Sequence, residues 1–273
     1  MRIFITGGTG FLGSHLLAEA VAAGHSITAC KRLESAINFS VPKGINWIVR
    51  DLDQIVAEDL KGYDALIHLA AYGVSPQPCL WNEALRVNAA WSLKLVQSAQ
   101  SAGIPKVVVA GSCHEYGLSA NRYDFIPVDA PLEPVSAYGV SKAAFSLCAS
   151  AYAREVGLNL SIMRIFAVYG EGQNPGNFWP SLRRAAMEGA DFKMSEGKQV
   201  CDFSPVETIV NGILCSAVNT DRGPRVTNLG TGQAQNLVDF AETWWSRWRA
   251  SGKLLVGSLP YRQNEIMRYV PRL

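Results

Sequence analysis

A glycine-rich turn close to the start of the chain does most to fix what this sequence can fold into. Thr6-Gly7-Gly8-Thr9-Gly10-Phe11-Leu12-Gly13 follows a short apolar run, Arg2–Thr6, and opens a helical stretch from Phe11 to Ala23. Glycines at 7, 10 and 13 give the spacing GxxGxxG. Without side chains, the turn lets backbone approach a pyrophosphate and lets helix pack closely on strand. The helix start then offers free N–H groups and the positive end of its dipole to phosphate. An ordinary glycine-rich β–α turn is the alternative. The strand before, the helix after and the early position together favour a nicotinamide dinucleotide.

The rest of the chain continues the pattern. Short apolar runs at Ser26–Cys30, Asn46–Val49, Ala65–Leu69, Lys106–Ala110 and Asn159–Arg164 alternate with helical stretches near Leu80–Ala102 and Tyr138–Val156. Runs this short, bounded by Gly, Pro and Asp, suit parallel strands buried on both faces. The expected fold class is α/β, a Rossmann-type doubly wound parallel sheet. After Arg164 the pattern changes. Tyr169–Asn177 is a loop by composition, Pro180–Glu188 and Val206–Val218 read as helices, and Val226–Leu229 as a short strand. We expect a dinucleotide-binding domain from residues 1–165 with about 204–249. A smaller C-terminal substrate lobe is expected from about 166–203 with 250–273.

Composition excludes several classes. The net charge is +2 with no basic block, so there is no footprint for nucleic acid or an anionic membrane. Six scattered cysteines form no CxxC pair, which argues against a metal site and a disulfide framework. No apolar run is long enough to span a bilayer, and a first strand at Arg2 leaves no room for a leader. A cytoplasmic protein with reduced thiols is expected.

The residue after the second strand selects the cofactor. An acid there binds the ribose hydroxyls of NAD, whereas a cation pairs with the 2′-phosphate of NADP. Lys31 and Arg32 stand at that point, with no acid before Glu34, which favours NADP over NAD. A solvated basic pair is the bland alternative. Asp51, after the third strand, is placed to meet the adenine amino group or simply to cap the strand end. Tyr138 and Lys142 lie one helical turn apart on one face. The ammonium is expected to lower the phenol pKa toward working pH and to hold the nicotinamide ribose. Ser112 follows the fifth strand, at the sheet edge where ligands bind, and can donate to a developing alkoxide.

These residues resemble the extended short-chain dehydrogenases/reductases of the NAD(P)-dependent sugar epimerase/dehydratase family. The matching pieces are Thr6–Gly13, Asp51-Leu52, His68-Leu69-Ala70-Ala71, Asn88, Ser112 with Tyr116-Gly117, Tyr138/Lys142, Asn177, Asp202-Phe203 and Asn228-Leu229-Gly230. The resemblance implies a nucleotide-diphosphate sugar substrate and hydride chemistry at a sugar carbon with Tyr138 as acid/base. It implies a cofactor site of Gly7, Thr9, Gly10, Phe11, Leu12, Gly13, Leu52, Leu69, Ala70, Ala71, Asn88 and Ile165 besides Lys31, Arg32, Asp51, Tyr138 and Lys142. Ser75, Cys113, His114, Asn177, Arg184, Arg262 and Glu265 are implied at the substrate. A homodimer through the two long helices is also implied.

Departures from the family pattern narrow the reading. The Asp-Glu pair that eliminates water in its 4,6-dehydratases is replaced by Cys113-His114, which speaks against dehydration. Glu115 reads as structural. The Asn after the sixth strand is lost within Arg164-Ile165-Phe166-Ala167, and Cys201 replaces an Arg that grips the diphosphate. Arg183, Arg184 or Arg262 are candidates to compensate, and Arg262 with Glu265 matches a late nucleotide-binding motif. The segment Gly111–Gly117 and the tail Pro260–Pro271 resemble NDP-4-keto-6-deoxyhexose reductases. The expected activity is therefore NADPH-dependent 4-ketoreduction in deoxysugar biosynthesis. The alternatives are an NAD-dependent NDP-sugar 4-epimerase, or a non-catalytic dinucleotide sensor or assembly subunit.

Overall fold

The structure is a computed structural model that describes residues 1–273 except Thr220, Arg222, Gln263 and Asn264. The last two belong to the late Pro260–Glu265 motif, so that part of the motif lies outside the described residues. Seven parallel strands form the central sheet. In chain order they are β1 (Arg2–Thr6), β2 (Ser26–Lys31), β3 (Ile45–Val49), β4 (Ala65–His68), β5 (Lys106–Ser112), β6 (Leu160–Ile165) and the edge strand Arg225–Leu229. In space the order is edge strand, β6, β5, β4, β1, β2, β3. The direction of winding reverses between β1 and β4, and ligands of such sheets bind outside the carboxyl ends of the strands at that point.

Alternation along each strand splits the core into two layers. Ile3, Ile5, Ala65, Ile67 and Val108 face one side, where the helices Phe11–Ala22 and Val206–Val218 cover them. Phe4, Leu66, Val107 and Val109 face the other, under Ser92–Ser101 and Ala137–Val156. Both faces are dry, which is why the strands read as continuous apolar runs.

The helical stretch expected near Leu80–Ala102 is not uniform. It begins as Trp81–Ala84, loosens into π geometry over Leu85–Trp91 and tightens again over Ser92–Ser101. The π turn carries one buried residue, Asn88. Such insertions recur at functional sites.

The smaller lobe is built on helix Phe178–Glu188 and a second helix, Leu237–Arg247. The sequence reading has no helix at the second position and counts those residues with the sheet. Ala241 and Trp245 instead pack with Leu182, Ala186 and Met194. The apolar face of this helix is complementary to that of Phe178–Glu188. Trp179 is core here, T-shaped against Trp244 and Trp248. No described helix is long and apolar enough to cross a membrane.

Candidate active site

The glycine turn forms the floor of the site. Gly7 adopts φ +78, a conformation that L side chains rarely take, and a Cβ there would lie 2.5 Å from Ala70 N. A Cβ on Gly13 would lie 2.1 Å from Gly7 O. Gly10 is the N-cap of the helix Phe11–Ala22, with no side chain capping its amides. The turn thus packs flat against the Leu69-Ala70-Ala71 segment and leaves the helix N-terminus clear for a pyrophosphate. Side chains at 7 or 13 would clash with backbone, so these glycines hold helix, turn and the segment after β4 in close contact, while a Cβ at Gly10 would meet only Gly7 O at 3.3 Å; a helix start left open in this way fits a dinucleotide's pyrophosphate.

The turn is braced from below by His68. Ser92 Oγ donates its one proton to Val87 O, so His68 Nε2 must donate to Ser92 Oγ at 2.9 Å. Nδ1 then carries no proton and accepts from Thr6 Oγ1 at 2.6 Å. Burial, with a smaller repulsion from Lys142, lowers the His68 pKa to about 3, consistent with this neutral tautomer.

At the adenosine end, Lys31 closes β2 and has no ion-pair partner among the described residues. Arg32 is not free, since its Nε lies 3.4 Å from Glu34, and both side chains are well exposed. Asp51 is exposed and caps the short 3-10 turn Leu52–Gln54. Ile165 ends β6 with its side chain in the core layer.

Asn88 needs a correction. It was expected at the cofactor, but its amide is fully buried and spoken for. Oδ1 accepts from Tyr72 N at 2.7 Å, while Nδ2 donates to Tyr72 O and to Ser141 Oγ. Ser141 Oγ in turn donates to Tyr138 O. Asn88 therefore acts through the tyrosine helix: it ties the loop after β4 to the turn that carries Tyr138.

That helix, Ala137–Val156, starts at Ser136, whose Oγ accepts from Gly139 N at 3.1 Å. It brings Tyr138 and Lys142 to the end of β5, beside Ser112. Ser112 Oγ accepts from His114 N at 3.2 Å, which leaves the hydroxyl proton available to a ligand. Lys142 is buried, donates to Ala110 O, and is lowered to about 8 by burial, with Glu115 opposing. The expected lowering of the Tyr138 phenol by this ammonium does not occur here. Burial raises it, and the Ser112 hydroxyl opposes only in part. Tyr138 is a protonated acid at neutral pH.

The two residues that stand where dehydratases keep carboxylates behave differently from each other. Cys113 is buried in an apolar cluster with Tyr116, Phe166 and Tyr269, and burial pushes its thiol up. The side chain expected at the substrate is thus turned into the core. His114 is exposed yet ringed by protein, as a residue in a cleft is. Burial and the nearby Arg262 lower its pKa, so the imidazole is neutral. Its ring centroid lies 6.1 Å from that of Tyr138 and 5.4 Å from that of Tyr269. Tyr269 was not anticipated; an aromatic four residues after Glu265, on the strand that pairs with Cys201, is the signal that would have found it.

On the lobe side, Asn177 caps the helix Phe178–Glu188 without using its own side chain. The Ser75–Pro76 loop meets it: a Cβ on Gly176 would come within 2.9 Å of Pro76 Cγ. Arg183 is held by Glu171 at 3.1 Å, whereas Arg184 is exposed on the same helix. Glu265 accepts a long bond from Gln199 Nε2, 3.5 Å. A wide concavity at the opposite edge of the sheet, lined by Met1, Asp64, Lys106 and Asn159, includes none of these residues. Ser112, Tyr138 and Lys142 gather instead at the carboxyl edge. No cluster of three or more His, Cys, Asp or Glu suited to a metal occurs among the described residues.

A doubly wound sheet with a glycine turn at its switch point and Ser112, Tyr138 and Lys142 at its carboxyl edge defines the short-chain dehydrogenase/reductase class. Within it, the chain belongs to the NAD dependent epimerase/dehydratase family, whose model matches residues 3–230. A UDP-glucose 4-epimerase of Corynebacterium glutamicum is 25% identical over 263 residues, 89% of this chain and 79% of that one. The structure of MoeE5 in complex with UDP-glucuronic acid and NAD is 29% identical with a TM-score of 0.87, covering 100% of this chain and 90% of the other. TunA, an NAD dependent NDP-hexosamine 5,6-dehydratase involved in tunicamycin biosynthesis, is 28% identical with a TM-score of 0.87, covering 100% of this chain and 89% of the other.

Proposed function

We propose that the protein reduces the 4-keto group of a nucleotide-activated 6-deoxyhexose with NADPH. The observation that carries this reading is Tyr138: a protonated phenol in a cleft beside Ser112, with no carboxylate pair next to it. A site poised to give a proton suits carbonyl reduction. A site lacking positioned carboxylates at 113 and 114 suits elimination poorly.

A bound NADPH would supply the hydride. Tyr138 gives its proton to the carbonyl oxygen as negative charge develops there. Ser112 donates a second hydrogen bond to the same oxygen. Lys142 is placed to hold the nicotinamide ribose and to complete the Tyr138 environment. Asn177, Arg184, Arg262 and Glu265 would hold the diphosphate and nucleoside, while Ser75 and His114 would flank the sugar. Lys31 is free for a 2′-phosphate, and the exposed Arg32–Glu34 pair is weak enough for a phosphate to displace.

The second reading is a 4-epimerase with tightly held NAD. Two observations favour it: Arg32 is already paired with Glu34, and a relative named as a 4-epimerase matches along 89% of the chain. Two copies pairing through the helices 81–101 and Ala137–Val156 fit either reading, since Trp81 and Leu147 are exposed there at 56% and 64%.

The test is a panel of NDP-4-keto-6-deoxysugars with NADPH, following absorbance loss and identifying the product by NMR. Stoichiometric NADPH consumption with a new C4 hydroxyl is expected. Protein that carries bound NAD, ignores NADPH and interconverts C4 epimers would be an epimerase. Tyr138→Phe should lower kcat by roughly 10²–10⁴, as for a lost general acid.

A further inference from the structure

We propose that the buried Glu115–Arg164 pair is a positioning device for the reaction: Glu115 fixes the backbone of Ser112, and Arg164 makes a carboxylate tolerable at that place. The inference rests on Ser112 and Tyr138 being the working groups, and not on which sugar is bound.

The pair holds Ser112 through one carboxylate oxygen and is itself anchored by the other. Glu115 Oε1 accepts from Ser112 N at 2.8 Å, closing the short turn Cys113–Glu115. Glu115 Oε2 accepts from Arg164 Nε at 2.8 Å. Arg164 Nη1 donates to Tyr116 Oη at 3.0 Å and to Val128 O at 2.9 Å, and the guanidinium lies 4.7 Å from the centre of the Tyr116 ring. Tyr116 Oη donates to Asn228 Oδ1 on the edge strand. Ser112 is thereby tied across two further strands. The side chains of the pair are 0% and 6% exposed.

Space has been made for it. Gly111 pairs with Arg164 across β5 and β6, and a Cβ at Gly111 would lie 2.8 Å from Glu115 Oε1 and 3.2 Å from Arg164 Cγ. An ion pair this dry gives little net stability compared with a packed apolar pair. Its position is what it offers: Glu115 closes the turn that Ser112 caps, and Arg164 stands on the neighbouring strand opposite Gly111.

The carboxylate also acts at a distance. Glu115 is among the groups that raise Tyr138 and Lys142. The charged or titratable groups facing Tyr138 are Cys113, Glu115, Cys79 and His114, with Lys142 one turn along. Those facing Glu115 are Arg164, Tyr116, Cys113, Tyr138 and Lys142. Glu115→Gln keeps the acceptor for Ser112 N and removes the charge, so Tyr138 should lose its proton at lower pH.

The experiment compares wild type, Glu115→Gln, Arg164→Met, the double variant and Arg164→Lys. Two readouts are used: kcat and KM across pH, and the tyrosinate absorbance that disappears in Tyr138→Phe. Arg164→Met leaves an unpaired carboxylate and should lower kcat by about 10²-fold, the scale of a displaced catalytic group, with KM little changed. Arg164→Lys should recover part of that loss. In Glu115→Gln the Tyr138 titration should move down, because this carboxylate is among the groups that raise it; in the double variant, which loses one charge of each sign, it should stay near the wild-type position. The double variant keeps the fold observable by removing both charges together. If kcat and the Tyr138 titration stay at wild-type values in every folded variant, the pair is structural only and the proposal is wrong. The titration needs no substrate, so it still decides this proposal if no sugar in the panel is turned over.

Discussion

Gly13→Ala gives the most quantitative test of the cofactor cradle. The added Cβ would sit 2.1 Å from Gly7 O and 2.7 and 2.8 Å from Gly8 Cα and C, where ordinary contact is 3.4–4 Å. All three atoms are backbone, so no rotamer change relieves the overlap. Helix and turn must separate by more than an ångström. Overpacking of this kind costs about 1–3 kcal/mol, and a clash with fixed backbone belongs at the upper end. The same movement opens the cradle. A dinucleotide at a hundred times its Kd stabilises the folded state by about 2.7 kcal/mol, and this increment should shrink or vanish. Gly103→Ala is the control. Gly103 has φ +75 with nothing within 4 Å of an added Cβ, so it should cost only the left-handed strain, about 1–2 kcal/mol, and leave the increment whole. Urea unfolding of the three proteins, with and without saturating NADPH or NAD, separates the two quantities. If Gly13→Ala unfolds at the wild-type midpoint and keeps the full ligand increment, the close approach of helix and turn does not build the cofactor site.

Other expectations follow from the same contacts. His68 has its folded pKa lowered from 6.5 to about 3, so the unfolded chain takes the proton first as pH falls; stability is whole above pH 6.5 and declines between 6.5 and 3 by about 1.4 kcal/mol per pH unit. Urea unfolding at several pH values should show that slope to be steeper in wild type than in His68→Gln. Asn88→Ala leaves Tyr72 N and O unpaired in the interior and should cost about 1–3 kcal/mol with a fall in kcat, measured by unfolding and turnover. Arg32→Ala frees Glu34 to face a 2′-phosphate; if the reductase reading holds, Kd for NADPH should rise about tenfold while that for NAD moves little, as read by fluorescence titration.

What the sequence made legible is what depends on near neighbours. A glycine turn between strand and helix, a tyrosine one turn before a lysine and a serine ending a strand are local facts, and the parallel sheet carries all of them to one edge. Buried parallel strands read as apolar runs because both faces are covered, so β1 through β6 were visible to within two residues. Helix Leu237–Arg247 was missed for the opposite reason. Its Val238, Phe240, Trp244 and Trp245 have weak helix propensity, and only the spacing of Phe240, Trp244 and Trp248 betrays a face.

The polar network was the least legible part, and the reason is physical. A buried polar side chain is defined by its partners, and here the partners are far apart in sequence. Asn88 reaches Ser141, Glu115 reaches Arg164, and Tyr116 reaches Asn228. Each residue alone suggests a ligand contact or a loop. Arg164 even appeared as part of a lost motif, when its guanidinium neutralises the carboxylate that holds Ser112. Cys113 shows the converse. It follows the proposed catalytic serine and so reads as facing the substrate, but the bond from Ser112 N to Glu115 turns the chain there, and the thiol enters the apolar cluster. The direction of one side chain in this site is set by a carboxylate two residues away and by an arginine on the neighbouring strand. The glycines fix where the cofactor can lie. This network fixes where Ser112, which the proposed reaction uses, stands at the end of its strand.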